Sequence, residues 1–378
     1  MPKKTIHPHR CIIRTVAMLI VLLLFMIPVK SQVTIENKEH NISTTMAAWM
    51  QPRYDFFEPD GGEAISRFSI RRVLLDIRGH AFSEKFTYRI TPEYSDLDLA
   101  HARNVYPILL HINYAFSPEA QIMFGQIAVP FHWHFFVPLP GLYFYERSLA
   151  SADFGTFGGW DKGVMFHGNT QLGDQPFRYA LAIIDGEGFN RRKNRNTGHT
   201  FSAQAVYAPL GTMPAGESDF RRSEDPQLTI GLGLQYGMDS EARNWTLGRS
   251  PNNRADFLTG TVFTRFAYLG FSLIGEGFYR NVMPEATAVD NFNGNAYTIA
   301  AGYMILPDRV ELIARYTGLN YDTDLTNADS SELGVGLNFF FRGHNAQLRT
   351  QYQKIEHGIA VPGSSFDQFV IEAQVHFF

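Results

Sequence analysis

The stretch Arg67–Tyr94, RFSIRRVLLDIRGHAFSEKFTYRITPEY, decides the fold. It reads as two strands of roughly ten residues or more, joined by a tight turn at Ser83, Glu84 and Lys85. On the first strand Val73, Leu75 and Ile77 share one face, and Arg72, Asp76 and Arg78 share the other. On the second, Phe86, Tyr88 and Ile90 are opposed by Thr87, Arg89, Thr91 and Glu93. Successive strand side chains point to opposite faces, so each strand has one apolar side and one charged side. A charged face that still belongs to a regular sheet must meet water, and in a membrane barrel that water fills the lumen. The expectation is an all-β chain forming a transmembrane antiparallel β-barrel.

The same rhythm continues outward. About sixteen strand segments follow one another, from about 42–52 to about 367–378. No apolar helix of spanning length follows residue 31, so a membrane can be crossed only by strands. Short connections at Ser83–Lys85, Ser117–Glu119, Gly173–Gln175, Tyr268–Leu269, Pro307–Asp308 and Arg342–Gly343 alternate with longer ones. That alternation is the pattern of short periplasmic turns and long outer loops. One connection departs from it: Pro209–Pro226 falls where a short turn belongs, so either the turn carries an insertion or the strand count errs nearby. In the last segment Phe369, Ile371, Ala373, Val375 and Phe377 alternate with Val370, Glu372, Gln374 and His376. A terminal aromatic strand ending at Phe378 is the feature that barrel-assembly machinery is expected to read.

The first 31 residues read as a cleaved secretory signal peptide. Lys3, Lys4, Arg10 and Arg14 precede an apolar run, Thr15–Ile27, and small residues before Gln32 suit a signal peptidase. Residues 32–41 then form a short polar periplasmic lead-in, and 42–378 the barrel. The only cysteine, Cys11, lies in the leader, which excludes a disulfide framework, thiolate catalysis and cysteine metal sites from the exported chain. Without the leader 28 basic residues face 37 acidic ones, a net charge of −9. An acidic exported chain lacks the electrostatic footprint of nucleic-acid binding. Aromatics make up 14% of the sequence, in keeping with the girdles of a membrane barrel.

These residues resemble the phosphate-selective porin O and P family of Gram-negative outer membranes. The resemblance is carried by Phe68–Gly79 (FSIRRVLLDIRG), Phe86–Glu93 (FTYRITPE), Phe124–Phe131 (FGQIAVPF), Tyr145–Leu149 (YERSL) and Gly163-Val164. It implies a sixteen-stranded barrel, commonly a homotrimer, whose long third outer loop folds into the lumen. It also implies passive diffusion of small ionic solutes, anions such as phosphate or pyrophosphate among them, through an arginine-lined pore. Arg71 and Arg72 match the family's paired arginines, and Glu93 falls near an acidic residue close to the constriction. The departure is lysine: Lys38, Lys85, Lys162, Lys193 and Lys354 are scattered, and no lysine cluster is visible.

An outward arginine at the bilayer midplane costs about 2–4 kcal/mol, so the strand arginines should point inward. On that reading Arg72, Arg78, Arg89, Arg178, Arg265, Arg280, Arg315 and Arg349 face the lumen, and the resemblance adds Arg71 and Glu93 to the pore lining. They form either a path of weak oxyanion sites or a plain wall in which they pair with Asp76, Glu93, Glu276, Glu311 and Glu372. The long loop at about 129–161 is rich in aromatics, and the barrel interior or a subunit contact would bury them. Its Glu146-Arg147 pair is placed to anchor it, with Asp153 and Asp161 adding charge at a narrowing; the alternative is a loop that only closes over the rim. His132 and His134 straddle Trp133 and could hold a metal, yet no third ligand is adjacent, so no metal is expected. No nucleophile motif such as GxSxG is present, and neither a cofactor nor an enzyme is expected. A plugged, non-conducting binding or scaffold barrel and a barrel-type lipid hydrolase are the alternatives. Asn190–Asn196 (NRRKNRN) reads as a solvated outer loop.

Overall fold

The computed structural model describes residues 32–95, 105–188, 194, 196–240, 254–285, 290–325, 329–358 and 365–377. The leader, Cys11, Phe378 and most of Asn190–Asn196 lie outside the described residues. The first half of the chain supplies β1 (Val33–Asn37), β2 (Ile42–Pro59), β3 (Ile65–Ala81), β4 (Ser83–Tyr94), β5 (Tyr106–Ser117), β6 (Ala120–Ala128), β7 (Trp160–Leu172) and β8 (Gln175–Ile184). Then come β9 (Thr200–Leu210), β10 (Gln227–Ser240), β11 (Ala255–Tyr268), β12 (Phe271–Pro284) and β13 (Phe292–Leu306). The last are β14 (Val310–Asn320), β15 (Asp329–Phe340), β16 (Ala346–His357) and β17 (Phe366–Phe377).

From β2 onward each strand pairs antiparallel with the next, and β17 pairs back onto β2 through Phe366↔Pro59 to Phe377↔Ala48. The result is a closed sixteen-stranded barrel. Closure removes both sheet edges, so the backbone groups inside the bilayer find partners within the sheet. β1 is an extra strand. It pairs with β2 through Val33↔Met46 to Asn37↔Ile42, just past the point where β17 ends, and so prolongs β17 along the same neighbour. Within 32–41, β1 thus forms a hairpin with the start of β2.

The face assignment is inverted relative to a soluble sheet. On β10, Ile230, Leu232 and Leu234 are exposed while Thr229 and Gln235 are buried. On β17, Phe369 is exposed while Glu372 and Gln374 are buried. Apolar side chains face outward to lipid and polar ones inward because strand alternation leaves each residue only those two directions.

One local expectation is corrected, and of the two readings of 209–226 the insertion holds. The β3–β4 turn sits at Phe82, in the left-handed region at φ 64°, and Ser83, Glu84 and Lys85 already belong to β4. The connection between β9 and β10, residues 211–226, is a true insertion at the short-turn end, and no hairpin is missing from the count.

Residues 129–159 carry two short helices, α1 (Trp133–Phe136) and α2 (Leu149–Phe154), the second capped by Ser148 Oγ accepting from Ser151 N at 3.2 Å. Their aromatics form the cores of the molecule. Phe131 and Phe154 pack with Phe257, Phe278 and Phe292 of β11–β13. Trp133, Tyr143 and Phe144 pack with Phe263, Ile274 and Ile313 of β11, β12 and β14. This explains why a loop holds so many rings: they pack with buried residues of β11–β14.

Candidate functional site

Strict alternation would send Arg71 and Arg72 to opposite faces of β3. A β-bulge prevents it. Gln51 pairs with Arg72 and Pro52 pairs with Ile70, so Arg71 is an extra residue with no partner on β2. Pro52 has no N–H to give the ladder, which makes the break in register natural there. Both guanidiniums therefore face inward and are buried, and they meet the carboxylate of Glu146. Arg71 Nε donates to Glu146 Oε1 and Arg72 Nη2 to Oε2 at 3.3 Å. Arg72 also donates to Gln51 Oε1 at 3.2 Å and lies 3.5 Å from Glu93 Oε1. Burial alone would raise the Glu146 carboxyl, but the two guanidiniums outweigh it and hold the group well below the ordinary carboxylate range. Beside it Arg147 stacks over the Trp160 ring at 5.0 Å and donates to Gly158 O at 3.2 Å. Burial, with Arg72 nearby, lowers the Arg147 guanidinium to about 10.

Further along the same wall, Asp76 accepts from Arg89 at 2.6 and 3.2 Å and from Thr91 Oγ1 at 3.0 Å, and Arg78 lies 3.6 Å away. Arg78 and Arg89 keep 48% and 39% of their side-chain surface exposed, whereas Arg71 and Arg72 keep 9% and 6%. Arg178 on β8 sits over Phe135 at 5.7 Å.

The remaining arginines hold backbone. Arg349 pairs with Glu372 at 2.9 Å and donates to Pro140 O at 3.0 Å and Leu142 O at 3.2 Å. Arg315 pairs with Glu332, donates to Glu146 O at 3.0 Å and stacks over Phe144 at 4.2 Å. Arg280 donates to Phe154 O and lies over the Phe154 ring at 5.3 Å. Arg265 donates to Glu217 O at 3.1 Å and Ser218 O at 3.0 Å. A guanidinium offers five donors in a fixed fork, so one side chain can bind a carboxylate and still satisfy chain carbonyls. Asp153 accepts from Tyr321 Oη at 2.7 Å, and burial pushes its carboxyl up. Asp161 is not brought to this group; it accepts from Gly186 N at 2.9 Å and Gly188 N at 3.0 Å and so ties down the β8–β9 connection.

The insertion at 211–226 supplies residues that the sequence pattern did not single out. Glu217 accepts from Trp133 Nε1 at 2.9 Å and from Tyr143 N at 2.6 Å, and its own N–H donates to Gly141 O at 2.9 Å. Ser218 Oγ donates to Glu311 at 2.8 Å, and Asp219 collects Ser223 and Gly270 N–H groups. Two connections from opposite ends of the barrel thus clasp each other. Wall glycines make room for them. A Cβ at Gly233 would meet Phe131 O at 1.9 Å, and one at Gly334 would meet the Phe144 ring at 2.7 Å. The only signal of this in the sequence was the excess length of 209–226.

A closed barrel with an apolar exterior, a polar interior and an alternating loop pattern is the architecture of an outer-membrane porin channel. The profile of the phosphate-selective porin O and P family matches residues 48–377, and the chain belongs to that family. The chain is therefore a channel of the Gram-negative outer membrane and not an enzyme. Among solved structures it is similar to an anion-selective porin from Comamonas acidovorans, with a TM-score of 0.61 at 11% identity over 89% of this chain and 100% of that one. It is also similar to OmpT of Vibrio cholerae (TM-score 0.57, 12% identity, 91% and 100% covered). A third is the outer-membrane channel DcaP of Acinetobacter baumannii (0.57, 11%, 91% and 99%). At these identities the likeness shows the fold. No curated protein sequence matches.

Proposed function

We propose that the barrel passes small anions, phosphate or pyrophosphate among them, along the β3–β4 side of its lumen, and that segment 129–159 folds into the lumen as the constriction. The observation that carries this reading is the bulge at Arg71, which sets two adjacent guanidiniums against Glu146 and Arg147. Arg71, Arg72, Arg78, Arg89 and Arg147 there outnumber Asp76, Glu93 and Glu146, so this side carries net positive charge. The far side, with Glu217, Glu276, Glu311 and Glu332, carries more carboxylates than Arg265, Arg280 and Arg315 match. Such segregation favours anions along one wall by electrostatic focusing. Half-exposed Arg78 and Arg89 supply replaceable oxyanion contacts, since their partner Asp76 is shared.

The clasp between 129–159 and 211–226 favours a second reading, a barrel closed at rest. Single-channel recording of the refolded protein separates the two: steady anion-preferring conductance supports the first, and silence from well-folded barrel supports the second. We further propose that the protein is exported through a cleaved signal peptide, inserted by barrel-assembly machinery that reads β17, and assembled as a homotrimer, as one OmpT structure is described to be. Crosslinking in native membranes tests the trimer.

A further inference from the structure

We infer that His132, His134 and Glu276 form a divalent-metal site that joins the constriction segment to β12. His132 and His134 flank Trp133 at the start of α1, and Glu276 comes from the facing strand. One ligand atom from each of the three side chains lies within 4.8 Å of the others, and all three side chains are buried. A metal at about 2.0–2.2 Å from imidazole nitrogen and carboxylate oxygen fits between them with small side-chain adjustments.

Three observations point to a cation there. First, His134 Nδ1 is buried with no hydrogen-bond partner. His134 Nε2 lies 3.4 Å from Glu217 Oε1, so the carboxylate keeps the ring proton on Nε2 and leaves the Nδ1 lone pair bare. A carboxylate behind a histidine is the usual support of a ligating imidazole. Second, two carboxylates are buried here without a lysine or arginine partner among the described residues. Glu276 accepts only from Trp133 N at 2.7 Å and Ser151 Oγ at 2.8 Å, and the side chain of Glu217 meets only Trp133, Tyr143 and His134. Buried charge calls for a counter-charge. Third, a small cavity bordered by His134, Ser148, Glu217 and Glu276 adjoins the cluster. Arg315 also borders it, but that charge is matched by Glu332. The 3.3 Å hydrogen bond that His132 Nδ1 accepts from His134 N is long, and coordination can replace it. Two imidazoles with a carboxylate suit zinc and its first-row neighbours and are unsuited to calcium or magnesium, which take oxygen donors. Bound metal would staple 129–159 to the wall independently of which solute passes.

The test is Co2+ titration of chelator-treated, refolded protein in detergent, read by visible absorption and by metal content. One Co2+ per chain is expected, with ligand-field bands lost in Glu276→Gln and His134→Ala. Glu217→Gln, which touches none of the three ligands but removes the charge behind His134 and one acceptor oxygen of the clasp, is expected to weaken binding about 10–100-fold. X-ray absorption of the wild-type complex must show imidazole scattering, a readout that does not depend on any variant folding. Absence of stoichiometric binding, absence of imidazole scattering, or binding unchanged in all three variants would overturn the site.

Discussion

Glu217 is the place to perturb the interior without touching the barrel. Glu217→Ala removes the acceptor for Trp133 Nε1 at 2.9 Å and Tyr143 N at 2.6 Å, and the neighbour of His134 Nε2 at 3.4 Å. A buried donor left without an acceptor costs about 1–3 kcal/mol, so the two close ones together cost roughly 2–6 kcal/mol. That penalty falls on the contact between 129–159 and 211–226, since the ladder bonds of β9 and β10 do not involve this side chain. Even 2 kcal/mol shifts an equilibrium by roughly 30-fold, enough to turn a rarely loosened clasp into a frequently loosened one. Single-channel recording should therefore show larger or noisier conductance than wild type, while heat-modifiable gel migration stays the same. Glu217→Gln keeps one acceptor oxygen and should fall between. Conductance and noise indistinguishable from wild type in Glu217→Ala, in protein that is folded, would refute the view that this carboxylate holds the two segments together.

Arg349→Ala strands the fully buried Glu372 and the carbonyls of Pro140 and Leu142, and should lower stability by about 3–5 kcal/mol. The double change Arg349→Met with Glu372→Leu should recover most of that in the same denaturant-unfolding assay. The folded-state value of Glu146 is depressed below its ordinary 4.5, so its contribution is complete above that pH and is lost only as pH falls through the lower folded value. The stability difference between wild type and Glu146→Gln should thus be flat from neutral pH to about 4.5 and shrink in stronger acid, as followed by thermal unfolding. Leu232, outward on β10, should cost about 2–4 kcal/mol when changed to Arg if it lies near the bilayer midplane, measured by unfolding in lipid.

Most of the barrel was legible because strand alternation is local: one apolar neighbour in two fixes the face of a residue within its own segment. Thus Arg72, Arg78 and Arg89 could be turned inward from sequence. Arg71 is different, because its direction depends on Pro52 in a neighbouring strand, and no pattern within β3 encodes that bulge. The rings of 129–159 announced burial by their number, but the partners did not. Trp133 meets Glu276 and Glu217, which lie far along the chain in segments with no periodicity linking them. The connection 209–226 broke the rhythm of the turns, so its presence was visible, while its inward path was set by Glu217 and Gly216 against Gly141, a long-range fit that composition does not record. Glu276 completed a cluster with His132 and His134 for the same reason: a third donor supplied across the barrel is invisible in a one-dimensional search for spacing.

The most direct measurement is the reversal potential of the refolded channel in a planar bilayer under a salt gradient, for wild type and for the Arg71→Gln/Arg72→Gln double variant, each followed by added phosphate. The account predicts anion preference and phosphate block in wild type, both reduced in the double variant while the barrel stays folded. Cation preference in wild type, or a reversal potential that the double variant leaves unchanged, would contradict it.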